Sequence, residues 1–224
     1  MNQTDLVEEI LDQPNAQQLV NKVPKALHKE NKERLDFREW LTDDIKAEFI
    51  NGAMVLHSPV KRGHLNASNN LCLLLTVYTR IHQLGEVSTE KALIGLTRND
   101  YEPDICFWTK EQAANFDDDT MIHPAPSLIV EVLSKGTKSK DRGVKFKDYA
   151  SHGVPEYWMV DYKKKTVEQY VLADEKAVTY TLLHQLTVID NLESQSVIGF
   201  VIPVAAIFNE RENLKALQEL MQRK

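Results

Sequence analysis

Long apolar runs are missing from this chain of 224 residues. None approaches the roughly 18 residues of a membrane span, and the opening MNQTDLVEEIL lacks the charged start and unbroken apolar core of a signal peptide. A cytoplasmic location with no membrane partner is the expectation. Cysteine is scarce too: Cys72, in a helical pattern, and Cys106, in a strand-like one, offer neither metal-ligand spacing nor a disulfide framework. Both read as small buried apolar residues. Positive charge is in deficit, the net charge being -6, which excludes a basic coat for nucleic acid. No stretch interleaves aromatic and basic residues in the manner of a nucleic-acid motif. Repeats and interdomain linkers are absent. What is left, 42% apolar and 27% charged residues, is the composition of one ordinary globular domain.

Residues 1 to 34 are polar, with weak helical periodicity interrupted by Pro14 and Pro24, and are expected to form a loosely attached arm. DFREWL then opens a short helix. Asn51-Gly52, between the strand-like KAEFI and AMVLH, is a strong hairpin signal and puts Glu48 on that hairpin. Between Gly63 and Leu84 the residues Leu71, Leu74, Leu75, Tyr78 and Ile81 keep helical spacing, with Gly85 at the expected C-terminal cap. Strands are expected at 86 to 97, 103 to 108 and 127 to 133, a helix at about 138 to 152 ending at Gly153, and a strand at EYWMVD, 156 to 161. TVEQYVL, AVTYTLLH and residues 197 to 202 supply later strands. The main domain is thus set at 35 to 208, with ENLKALQELMQ forming a closing amphipathic helix within 209 to 224.

One residue disturbs this pattern. In SLIVEVLS, Glu131 sits in a run of branched aliphatics that reads as a strand buried on both faces. An ionised carboxylate stripped of water costs several kcal/mol unless it is paired, hydrogen-bonded or beside a wet cleft. An internal salt bridge is one explanation. The other begins from Pro103-Asp104, which opens the preceding expected strand, so that neighbouring strands present two carboxylates at one point. Hard divalent cations such as Mg²⁺ take one or two carboxylates and leave their other positions to water and phosphate. A metal so held activates water and offsets charge on a phosphodiester. Charge is also unevenly spread, since SKGTKSKDRGVKFK (134 to 147) carries six Lys or Arg against one Asp.

These stretches together resemble the Uma-type proteins, a former domain of unknown function assigned to the restriction-endonuclease-like PD-(D/E)XK superfamily. The likeness runs from DFREWL through AEFINGAMVLHSP, EPDICFW, APSLIVEVLS and KDRGVKFKDYASHGVPEYWMVD to GFVIPVAAIF. It implies an α/β fold with a core of helix, three strands, helix and strand, extended here by the N-terminal hairpin and later C-terminal strands. It also implies an Mg²⁺-dependent endonuclease acting on DNA, with Mn²⁺ able to substitute and a homodimer as the expected assembly. By position, Asp104 and Glu131 match the metal ligands and Glu48 the hairpin glutamate. The lysine usual two residues after the acidic residue is missing, because Val132 and Leu133 follow Glu131. At about 100° per residue, Lys138, Arg142, Lys145 and Tyr149 share a stripe of the next helix, and the family has a lysine at the Lys145 position. Lys145 is therefore the candidate replacement, with Lys138, Arg142 and His64 as candidate nucleic-acid contacts. Two alternatives stand beside this reading: a noncatalytic nucleic-acid-binding or regulatory protein, and a structural or assembly protein in which Glu131 is an internal salt bridge.

Overall fold

Pro24 does not end a helix. The computed structural model describes residues 3–42 and 44–222, beginning with α1 (Gln3–Leu11) and α2 (Ala16–Trp40), and α2 runs through Pro24. Proline removes one helical donor, but this stretch of α2 is exposed and the carbonyl it leaves free is open to water. DFREWL accordingly closes a long helix, and the expected boundary at residue 34 falls inside α2. There Arg34 is buried, its guanidinium donating to Asp100 Oδ2 at 2.9 Å and to the carbonyls of Leu96 and Thr97 at 2.6 and 2.8 Å.

The hairpin follows as β1 (Ala47–Ile50) and β2 (Ala53–Leu56), turning on Asn51 and Gly52 at φ 50° and 78°, as a turn with two left-handed residues requires. Next come α3 (Arg62–His82), β3 (Gly85–Thr89), β4 (Leu93–Gly95), β5 (Asp100–Tyr101), β6 (Ile105–Thr109), α4 (Lys110–Ala113), β7 (Ile122–His123) and β8 (Leu128–Val132). The left-handed residue ending α3 is Gln83, at φ 52°, and Gly85 opens the next strand instead. Beyond β8 lie α5 (Lys138–Asp141), α6 (Val144–Ser151), β9 (Glu156–Asp161), β10 (Thr166–Val171) and β11 (Thr181–Thr187). The chain continues through β12 (Asn191–Glu193), β13 (Val201–Pro203), α7 (Ala205–Phe208) and α8 (Glu210–Gln222). The single helix expected over 138 to 152 is thus broken at Gly143. A Cβ there would lie 2.7 Å from the Ser139 carbonyl, so the two short helices meet more closely than a side chain permits.

Two sheets carry the architecture, ordered β2-β1-β5-β4-β7 and β11-β10-β9-β8-β6-β3, with β12-β13 as a separate pair. The stretch read as one strand at 86 to 97 is divided between them. In the larger sheet β8 runs antiparallel to β6 and parallel to β9, the α5–α6 connection making the crossover. Strand alternation then sorts two cores. Ile105, Phe107, Leu128, Val130, Val132, Trp158 and Val160 face α3, α7 and α8. Cys106, Trp108, Ile129, Tyr157 and Met159 face the other way, toward α6 and the smaller sheet. Phe37 of α2 packs with Ala47 and Phe49 behind that smaller sheet. No helix among the described residues is long and apolar enough to cross a membrane.

Candidate active site

Alternation decides where Glu131 points. With Val130 and Val132 turned into the α3 core, Glu131 shares the opposite face with Ile129, under α6 and the smaller sheet. Ile105 pairs with Val130, so one step further along the antiparallel register Asp104 stands across from Glu131 on that same face. The Val132 amide donates to Asp104 Oδ2 at 2.7 Å, and His64, in the first turn of α3, lies with its Nε2 3.1 Å from Asp104 Oδ1. From α6, Lys145 and Tyr149 reach down one turn apart. The Lys145 ammonium donates to Glu131 Oε1 at 2.8 Å and the Tyr149 hydroxyl donates to the same oxygen at 3.1 Å.

The smaller sheet completes the cluster. Ala47 and Phe49 face α2, which turns Glu48 and Ile50 toward the larger sheet. Glu48 Oε1 sits 2.7 Å from the Lys145 ammonium and accepts the Glu102 amide at 3.1 Å, while its Oε2 is 3.2 Å from His57 Nε2. Asp141 Oδ1 is 3.9 Å from the ammonium. One buried lysine therefore joins two strands of different sheets, with an excess of acids around it.

That excess sets the protonation states. Burial alone would depress the Lys145 pKa, but Glu131, Glu48 and Asp141 outweigh it and hold the pKa well above the usual lysine range. Burial would raise Glu48, yet the Lys145 charge and the His57 contact bring it down to about 2. Burial pushes Glu131 well up, Lys145 opposing and the charges of Asp141, Asp104 and Glu48 adding to the rise. Asp141 is likewise raised to about 6 by burial, against Lys145. In Asp104 burial is overcome by the hydrogen bond and charge of His64, so its pKa is lowered. At neutral pH the lysine and Glu48 are charged, while burial and the neighbouring acids favour the neutral form of Glu131.

Asp104, Glu131, Lys145 and His64 all line one cleft of about 460 Å³, and Glu48 lines the adjoining one with Lys145. Arg142 and Lys138 are not brought there. The break at Gly143 takes them off the Lys145 stripe, and Arg142 donates to both Glu168 oxygens at 2.6 and 2.7 Å on β10. Sequence reasoning passed over His57, Asp141 and Glu102. Two had readable signals: Glu48 pairs with Val55, so alternation carries His57 to the same side, and Asp141 precedes Lys145 by four residues. Glu102, raised to about 7 by burial against Lys46 and His57, had none, because it belongs to neither flanking strand. Among the described residues no three His, Cys, Asp or Glu side chains are grouped closely enough to hold a metal by themselves.

The fold has a counterpart among solved structures. The crystal structure titled as a putative nuclease belonging to DUF820 from Anabaena variabilis ATCC 29413 superposes with a TM-score of 0.64 at 13% identity, over 77% of this chain and 94% of that one. The fold is restriction-endonuclease-like. The family model described as "Uma2: Putative restriction endonuclease" matches residues 34–205, and the chain belongs to that family. Among curated proteins nothing matches.

Proposed function

We propose that this protein hydrolyses DNA phosphodiester bonds with the help of Mg²⁺, for which Mn²⁺ substitutes. The observation that carries the reading is the Lys145 ammonium held between Glu131 and Glu48 at the edge of a cleft where Asp104 faces Glu131. Family membership and the name of the structural neighbour point the same way.

The residues fit a divalent cation of the hard, oxygen-liganded kind. Asp104 and Glu131 are the protein ligands, and two carboxylates with water and phosphate filling the rest is a common Mg²⁺ arrangement. The acid excess that raises the Glu131 pKa is relieved by added positive charge. When bound, the ion supplies Lewis-acid polarisation of the phosphate and lowers the pKa of its water. The other roles fall to the chain. Lys145 has three donors; two go to Glu131 and Glu48, which leaves one to orient the attacking water and offset charge on the phosphate. Glu48 and Tyr149 hold that lysine and Glu131 in place, and His64 fixes Asp104. A homodimer cuts both strands of a duplex from two sites related by a twofold axis. A cytoplasmic location goes with this reading.

The test is a titration of Mg²⁺ and Mn²⁺ on supercoiled plasmid, linear duplex and single-stranded DNA, with Asp104→Asn as control. Metal-dependent cleavage that the variant lacks is the expected result. Binding without cleavage at any metal concentration would favour a noncatalytic nucleic-acid-binding protein on the same fold.

A further inference from the structure

The cleft that holds the acids is continuous with a second one of about 390 Å³, the two sharing His57, His64, Ser134, Thr137 and Lys145. Their linings differ in sign. Asp44, Glu90, Glu102, Asp104 and Glu131 lie along the first; the second is lined by Lys61, Lys135, Lys140 and Lys163, and its one acid, Glu48, is already bound to Lys145. The four lysines come from four separate places: the residue before α3, the loop after β8, α5, and the turn between β9 and β10. None of them is ion-paired among the described residues, in contrast to Arg142, which is committed to Glu168, and Lys46, which faces Glu90. Their convergence is a property of the fold and not of one basic helix face.

Tyr162 forms part of the same groove and is only half-buried. Its ring is set from behind: a Cβ at Gly63 would lie 2.7 Å from Tyr162 Cδ2, and the His64 ring meets it edge-on at 6.4 Å. Glycine at position 63 lets the first turn of α3 press against the ring and fix its plane. A fixed aromatic ring beside unpaired cations is how sequence-tolerant single-strand grooves are built, with lysines on phosphates and a ring under a base.

We infer that this second cleft is a single-strand nucleic-acid groove, in which Lys61, Lys135, Lys140 and Lys163 hold successive phosphates and Tyr162 stacks an unpaired base. It delivers one strand to the acid cluster next door. The inference rests on the nuclease reading only in taking a phosphodiester strand as ligand, and it transfers the nucleic-acid contacts away from Arg142 and Lys138.

The test measures binding of the full chain in EDTA, where cleavage plays no part, to a fluorescent oligothymidine 12-mer and to a 12-base-pair duplex across a salt series. Replacing the four lysines by alanine together should lower the slope of log affinity against log salt by about 3 for the single strand, at roughly 0.7 per phosphate contact. The Lys138→Ala/Arg142→Ala pair should leave the slope unchanged. Tyr162→Leu should weaken single-strand binding by about 5- to 150-fold and duplex binding by less than about twofold, while Tyr162→Phe retains both. An unchanged slope in the fourfold variant, or duplex binding as sensitive to Tyr162 as single-strand binding, overturns the groove. The two proposals fail separately. Binding through these residues without any cleavage keeps the groove and removes the nuclease, whereas metal-dependent cleavage with an unaltered salt slope does the reverse.

Discussion

Asp100 and Glu131 are both buried carboxylates in ion pairs, and they differ in how the surrounding charge is counted. Asp100 receives two guanidinium groups: Arg34 and Arg38 each donate through Nε to its Oδ2 at 2.9 Å and through a second nitrogen to its Oδ1. Burial is more than offset there and the Asp100 pKa falls. Glu131 shares a single lysine with Glu48 and Asp141, and its pKa rises. One cluster has cations to spare and fastens α2 to the smaller sheet. The other is short of positive charge in a cleft open to ligands, the shortfall that the proposed divalent cation would make good.

Activity should divide the two clusters most sharply. With Mg²⁺ present, Asp104→Asn or Glu131→Gln should lower the cleavage rate by about a thousandfold or more, and Lys145→Met by about a hundred- to a thousandfold, whereas Asp100→Asn should cleave normally per folded molecule. Single-turnover rates on plasmid decide this. An Asp100→Asn loss as large as that of Glu131→Gln would erase the distinction.

Stability should divide them in the opposite sense. Asp100→Asn leaves two buried or half-buried arginines without their carboxylate and should cost about 3–5 kcal/mol in urea unfolding. Glu131→Gln puts a neutral isostere that still accepts from Lys145 in place of a carboxyl whose pKa burial raises, and should not destabilise the chain at neutral pH. A Glu131→Gln protein as destabilised as Asp100→Asn would mean that Glu131 is ionised in the metal-free state.

Metal addition sharpens the contrast further. Mg²⁺ at a hundred times its dissociation constant should stabilise the wild-type chain by about 2.7 kcal/mol. Asp104→Asn should abolish that gain and Asp100→Asn should keep it, as read from thermal midpoints with and without the ion. A gain retained in Asp104→Asn would place the ion elsewhere.

The smallest effect is a pair of opposed pH slopes in EDTA. Asp100 has a folded pKa below its ordinary 3.8, so its stabilisation is complete above that value and is lost as pH falls through the folded pKa. Asp141, raised from 3.8 to about 6, makes the folded state bind the extra proton. Its cost appears as pH rises above 3.8 and is complete above about 6. Glu131 acts in the same direction from its ordinary 4.5 upward. Relative to wild type, the Glu131→Gln urea midpoint should therefore gain as pH rises from 4.5 to 8, while the Asp100→Asn midpoint should recover only below pH 3.8; an unchanging Glu131→Gln difference would show that Glu131 does not contribute.

Much of the site was readable because local rules coincide with the fold. Asn51-Gly52 makes the hairpin, EYWMVD is β9 residue for residue, and four-residue spacing puts Lys145 beside Tyr149 on the inner side of α6. The parts that could not be read depend on distant contacts. Pro24 signals a break, yet α2 continues and is anchored at its far end by Arg34 to a strand 66 residues later. The basic run at 134 to 147 looks like one helical stripe, but Gly143 divides it and Glu168, from β10, takes Arg142. Continuous strand character over 86 to 97 hides the passage from one sheet to the other, since Glu90 and Lys91 adopt left-handed backbone angles that no local pattern announces. Charge alone likewise gave no way of separating Lys145, buried among acids, from its exposed neighbours.

The bridge from Lys145 to Glu48 also carries a schedule. During synthesis Glu48, Asp104 and Glu131 leave the ribosome before Lys145, and the ammonium meets Glu48 only once the two sheets have docked around α6. A nascent chain halted before residue 145, or a misfolded one with its sheets apart, has the acids without the group that joins them. The arrangement proposed above for cleavage is therefore complete only in the finished fold.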